Sequence, residues 1–211
     1  MEIPIILIVE DLLSEEIALK LLSESEKPGE PYEIRNLMKW TKSEIQKNIN
    51  DMNNASRGIP CFALTDQDRF DTCPPGEIRK WIRGDINPNL IYRFASMEVE
   101  SWIMADREAF SNYLSIPISR ISIPTDKIPD PKEFLINLAR RSRRHRLSKD
   151  LIPAHGSTSK VGPGYNARLS QFVQEHWNAD RAARNSPSLA RALRSLREFT
   201  PTWAPHPPRR R

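Results

Sequence analysis

Asp66 and Asp68 stand one residue apart in the stretch CFALTDQDRF, directly behind an apolar run. Side chains i and i+2 of an extended chain share a face, so both carboxylates can turn to one side. Two like charges that close repel each other unless a cation lies between them. Two readings stay open for the pair. One is a polar turn, since Asp is a common turn residue. The other is part of a divalent-cation site. Further carboxylates occupy comparable places: Glu10 follows IPIILIV, and Glu98 and Glu100 follow NLIYRFAS. Magnesium takes hard oxygen ligands, usually one or two carboxylates with water and substrate phosphate. Such a cluster stabilises charge on a phosphodiester during hydrolysis. Each residue has a plainer alternative. For Glu10 it is a solvated strand-end charge, for Glu98 and Glu100 favourable charges at a helix start, and for Asp106 a surface helix residue. His155 and His176 have no evident Ser, Cys or metal partner and read as structural.

The elements that must position these groups follow from pattern. IPIILIV at 3–9 is a continuously apolar, β-branched strand of the kind buried on both faces of a parallel sheet. Ser14 is a candidate cap for the helix behind it. YEIRNLM at 32–38, IPCFALT at 59–65 and NLIYRFAS at 89–96 read as further strands. A polar helix opened by Thr41, a helix from Pro74 or Pro75 and one over 98–114 fall between and after them. Strand–helix alternation predicts an α/β fold: a mostly parallel, Rossmann-like sheet with helices on both faces. Ligands of such sheets bind beyond the carboxyl ends of the strands. Glu10, the Asp66–Asp68 pair and the Glu98–Glu100 pair all fall there.

Composition narrows the class. With 38% hydrophobic and 28% charged residues, the 211-residue chain reads as globular rather than disordered. No apolar stretch approaches the roughly 20 residues of a membrane span, and the N-terminal run lacks the basic lead of a signal peptide. Cys61 and Cys73 have neither metal spacing nor a disulfide framework, which predicts a reducing, cytoplasmic setting and no membrane partner.

Charge is divided along the chain. Residues 1–130 carry 15 Lys+Arg against 22 Asp+Glu, and residues 131–211 carry 17 against 5. DPKEFLINLARRSRRHRLSKD reads as one basic helix, with Phe134, Leu135 and Leu138 inward. A Gly/Pro loop holding Lys160 follows, then helices over 165–177 and through SPSLARALRSLREF. The expected division is an α/β domain over 1–125, a basic helical region over 126–200 packed on it, and a disordered basic tail over 201–211. Arg141, Arg143, Arg144, Arg146 and Lys160 are the candidates for holding a nucleic-acid backbone. A docking surface for an acidic protein is the competing reading, and no aromatic residues interleave there to stack on bases.

IVEDLLSEE, LTDQDR and EVESWIMAD, in this order and at these strand ends, resemble the Toprim fold of type IA topoisomerases, primases and OLD-family nucleases. The chain also resembles, over nearly its whole length, a bacterial family of small Toprim-like proteins of unsettled function. Members of that family show stretches much like DPKEFLINLARRS and KVGPGYN. The resemblance implies a magnesium- or manganese-dependent nuclease, often associated with an ATPase in anti-phage defence. Glu10 matches the Toprim glutamate, Asp66 and Asp68 its D-x-D, and Glu100 the glutamate ahead of a Trp in related defence nucleases. This makes Glu10, Asp66, Asp68 and Glu100 the expected catalytic set, and Glu10, Asp66, Asp68 and Glu98 the expected metal ligands. The sequence departs from the pattern at EDLLSE, where Asp11 stands in place of a glycine. The alternative function is a non-catalytic partner or regulatory subunit of a defence ATPase, docked through the basic region.

Overall fold

The computed structural model describes residues 2–67 and 74–202. Four strands, β1 (Ile3–Val9), β2 (Tyr32–Lys39), β3 (Cys61–Asp66) and β4 (Leu90–Ala95), form one sheet in the order β2-β1-β3-β4. Every pairing is parallel. The unbroken apolar runs are explained by burial on both faces. Ile5, Leu7 and Val9 of β1, with Phe62, Leu64 and Ile91, enter the larger core, while Ile8, Cys61, Ala63, Tyr92 and Phe94 enter a smaller one behind the sheet.

Helix α1 (Leu12–Ser23) packs on the larger side, and α2 (Lys42–Ala55) and α3 (Pro74–Trp81) cover the smaller. Helices α4 (Glu100–Ala105), α5 (Arg107–Leu114), α6 (Pro131–Ala139), α7 (His145–Leu151), α8 (Tyr165–Glu175), α9 (Ala179–Ala183) and α10 (Pro187–Glu198) all add to the larger core. The chain is thus α/β, with a four-stranded parallel sheet flanked by helices. No helix among the described residues is long and apolar enough to cross a membrane.

One local expectation holds and several change. Thr41 caps α2 in a full capping box with Glu44. Asp11, rather than Ser14, caps α1: its Oδ1 accepts the Ser14 N–H at 2.8 Å, and Ser14 is buried. The helix read over 98–114 is two, α4 and α5, divided at Asp106. The basic helix read through 130–150 is also two. Between α6 and α7, Ser142 is buried and its hydroxyl donates to the Leu114 carbonyl at 2.6 Å. That anchor pulls the chain off the helical path, so Arg140, Arg141, Arg143 and Arg144 form an exposed connection instead of a helix face. Thr202 is tied to Asn89 by its N–H, at 2.8 Å. The tail read as disordered lies, from Trp203 on, outside the described residues.

Candidate functional site

The sheet order makes the site. The chain leaves β1 toward β2, then returns to place β3 on the other flank of β1. Ligands of open α/β sheets sit at such a reversal. Glu10 ends β1 and Asp66 ends β3, and the two strands are adjacent. Glu10 Oε1 accepts the Asp66 N–H at 3.0 Å. Asp66 Oδ1 accepts the Val99 N–H at 2.9 Å, which ties it to the start of α4. Glu100, the next residue, is buried.

Two residues that carried no functional reading complete the cluster. Lys132, in the first turn of α6, brings its Nζ 3.2 Å from Glu98 Oε1 and 3.4 Å from Glu100 Oε1. Its backbone N–H donates to Glu98 Oε2 at 2.8 Å. Both oxygens of Glu98 are therefore directed at Lys132. The Tyr165 hydroxyl donates to Glu100 Oε1 at 3.0 Å. Glu100 Oε2 is buried with no hydrogen-bond partner. A signal for both residues was present: Lys132 lies in DPKEF and Tyr165 in GPGYN, within two of the five stretches on which the sequence resemblance was drawn.

The glycines of GPGYN explain how Tyr165 is placed. Gly162 and Gly164 donate their N–H groups to the carbonyls of Leu151 and Asp150, laying the loop against the end of α7. A Cβ on Gly162 would stand 2.7 Å from the Ile152 carbonyl oxygen, and one on Gly164 would stand 2.8 Å from the Asp150 Cβ. Only residues without a side chain allow that approach. The loop then delivers Tyr165 as the first residue of α8.

The electrostatics are those of crowded carboxyls in a poorly hydrated place. Burial, then the charges of Glu100, Glu10 and Asp11, hold the Asp66 carboxyl well above its ordinary range. Burial also raises Glu100, against the pull of Lys132. Burial works against the charge on Lys132, yet Glu100 and Glu98 outweigh it and raise its pKa. The Tyr165 hydroxyl is raised by burial and then by Glu100.

Among the described residues, no group of three or more Asp, Glu, His or Cys side chains is disposed to hold a metal ion. Asp68 lies outside those residues. The donors of the cluster are all hard oxygens, which suits magnesium or manganese. Glu10 and Asp66 are the described groups that would hold one, while Glu98, also expected as a ligand, turns both of its oxygens to Lys132 instead.

The remaining candidates separate. Asp106 is buried and not at the surface: the Arg181 guanidinium donates to its two oxygens at 2.7–3.1 Å, and it caps α5. It is a structural anchor. Lys160 and Arg140 line a cavity of about 410 Å³ together with Glu98 and Lys132. Arg144 and Arg146 line a different groove, with Tyr113, Arg168 and His176, and the Arg144 Nε donates to Ser115 Oγ at 3.1 Å. Arg141 and Arg143 are exposed in the connection. The five expected nucleic-acid contacts thus fall into separate places, and only Lys160 lines the cavity that holds Glu98. His155 is exposed, and His176 packs against Tyr113 and Phe172. Cys61 is a buried free thiol that burial pushes up to about 11, and Cys73 lies outside the described residues.

Compared with known protein families, with curated proteins and with solved structures, the chain matches none.

Proposed function

We propose that the protein is a metal-dependent phosphodiesterase of the Toprim type, a nuclease acting on DNA or RNA in bacterial anti-phage defence. The observation that carries the reading is the meeting of Glu10 and Asp66 across the β1–β3 reversal, with Glu100 close enough to raise the Asp66 carboxyl. Glu10 and Asp66, with Asp68 beyond the described residues, would hold a magnesium or manganese ion. When bound, the ion supplies Lewis-acid stabilisation of charge on the phosphodiester.

The chain's own residues do the rest. Glu100 is raised in pKa by its burial, which suits it to hold a proton for the departing oxygen, while the Tyr165 hydroxyl, donating to Oε1, fixes its orientation and pulls the other way. Glu98 places Lys132 beside Glu100. Lys160 and Arg140, in the adjoining cavity, attract the phosphate backbone.

A second reading has its own support. The Lys132 ammonium already pairs with both Glu98 and Glu100, which suits a chain that keeps the sheet and its acids without catalysis, as a partner of a defence ATPase.

The deciding experiment incubates purified protein with duplex DNA, bulk RNA and transfer RNA, with and without manganese. The nuclease reading expects metal-dependent cleavage of at least one substrate, abolished by Asp66→Asn and by Asp68→Asn. Equal cleavage by the wild type and both variants, or none on any substrate, would overturn it.

A further inference from the structure

The sheet has two edges, and they differ. β2 carries a register shift against β1 between Ile5 and Ile6 and exposes Arg35 and Lys39 along its length. Bulges and charges of this kind blunt an edge. β4 is in unbroken register with β3 from Leu90 to Ala95. The Cys61 N–H donates to the Asn89 carbonyl and the Gln67 N–H to the Ala95 carbonyl. In a parallel ladder that parity turns the backbone groups of Ile91 and Arg93 toward β3 and those of Leu90, Tyr92 and Phe94 away from the sheet. The Leu90 N–H is taken by the Asn87 carbonyl, and the Tyr92 carbonyl accepts Nη1 of Arg93 at 2.6 Å.

A groove of about 560 Å³ lies over this edge, between α3 and α10. Leu90, Tyr92 and Phe94 form its floor. Arg79 of α3, Arg93, and Arg191 and Arg194 of α10 supply its charge, and no carboxylate lines it among the described residues. Arg93 is partly buried, with its guanidinium bonded to the Tyr92 carbonyl and to Ser195 Oγ. No ion pair among the described residues includes it. Burial, and then Arg191, act against its charge. A desolvated guanidinium without a counter-ion is costly, and an incoming carboxylate would remove that cost.

We propose that the β4 edge is a docking site for an extended acidic segment of a partner protein, which adds to the sheet as a fifth strand. Strand addition pairs the outward groups of β4 that no described residue takes, the Tyr92 and Phe94 N–H groups with the Leu90 and Phe94 carbonyls, and alternate carboxylates of the segment meet the arginines. A second copy of this chain fits badly, because it would bring a matching set of arginines against the first. A nucleic-acid strand offers phosphates but not the alternating donors and acceptors that a strand edge pairs with.

The test uses the full chain and four fluorescent probes: a peptide of alternating Glu and Val, its Lys–Val counterpart, the Glu–Val peptide methylated on its backbone nitrogens, and single-stranded oligothymidylate. Anisotropy should show binding of the Glu–Val peptide and not of the other two peptides. Arg191→Glu with Arg194→Glu, both on the exposed side of α10, should weaken that binding by about tenfold while leaving the thermal melt unchanged. In the wild type, saturating peptide should slow hydrogen exchange at the Tyr92 and Phe94 amides. Equal binding of the methylated peptide, unprotected amides at saturation, no binding of the acidic peptide, or its full displacement by oligothymidylate would each overturn the proposal.

Discussion

The side chain of Glu10, at the end of β1, is held by the backbone of Asp66, at the end of β3, through a 3.0 Å hydrogen bond from the Asp66 N–H to Oε1. The register that pairs Val9 with Leu64 makes the two ends neighbours. Asp66 in turn accepts the Val99 N–H, one residue before Glu100. Three acidic residues from distant parts of the chain are therefore linked through the backbone.

The first consequence is a pH dependence. Asp66 and Glu100 have native pKa values raised by burial and, at Asp66, by neighbouring carboxylates. Such groups keep their protons in the fold where the unfolded chain has lost them. The stability they contribute is present below the ordinary carboxyl range, about pH 4, and is lost as pH rises through the raised native values. In metal-free protein, Asp66→Asn should melt a few degrees above the wild type at pH 8, and the gap should close toward pH 4. A gap that ignores pH would show that Asp66 is not strained by its neighbours.

Lys132 and Tyr165 should prove coupled through Glu100. At a pH where Glu100 is ionised, Lys132→Met leaves a buried carboxylate with less compensation. Its side chain keeps 32% exposure, so the expected loss is about 2 kcal/mol, below the roughly 3–5 kcal/mol of fully buried pairs. Tyr165→Phe keeps the ring and removes one hydrogen bond, at a cost of about 1–2 kcal/mol. Urea unfolding of both variants and of the double variant measures the coupling, and strictly additive losses would speak against a shared partner.

Asp106→Ala should behave as a structural lesion. It strips Arg181 of its partner, α5 of its cap and the Asn178 N–H of its acceptor. A loss of about 3 kcal/mol is expected, without change in divalent-ion binding by the residual native protein. Reduced metal affinity at unchanged stability would reverse that assignment.

The exposed basic connection can be tested apart from the acidic cluster. Changing Arg141 and Arg143 together to Gln should leave the melt unchanged. If the connection grips duplex nucleic acid, affinity should fall, and the slope of log affinity against log salt should shrink by about 0.9 for each phosphate that is no longer neutralised. Unchanged binding, with loss of a protein partner instead, would make the connection a docking surface.

Much of the frame was legible from local pattern. Unbroken β-branched runs announce strands buried on both faces, and β1, β3 and β4 are such strands because helices cover each side. Thr41 and Glu44 sit three residues apart, so their capping box needs no distant partner. The acidic residues at the strand ends were visible for the same reason. Other features depend on partners far away in sequence. Asp106 ends a helix because Arg181 waits for it 75 residues on. Ser142 breaks another because the Leu114 carbonyl lies 28 residues back. Glu10 meets Asp66 only because the sheet order sets β3 beside β1. Lys132 and Tyr165 reach Glu98 and Glu100 from 34 and 65 residues away. Residue type and spacing determined which groups could do chemistry. Tertiary packing alone decided which of them share a place, because side-chain proximity across a fold is set by strand order and helix docking and leaves no trace in local periodicity.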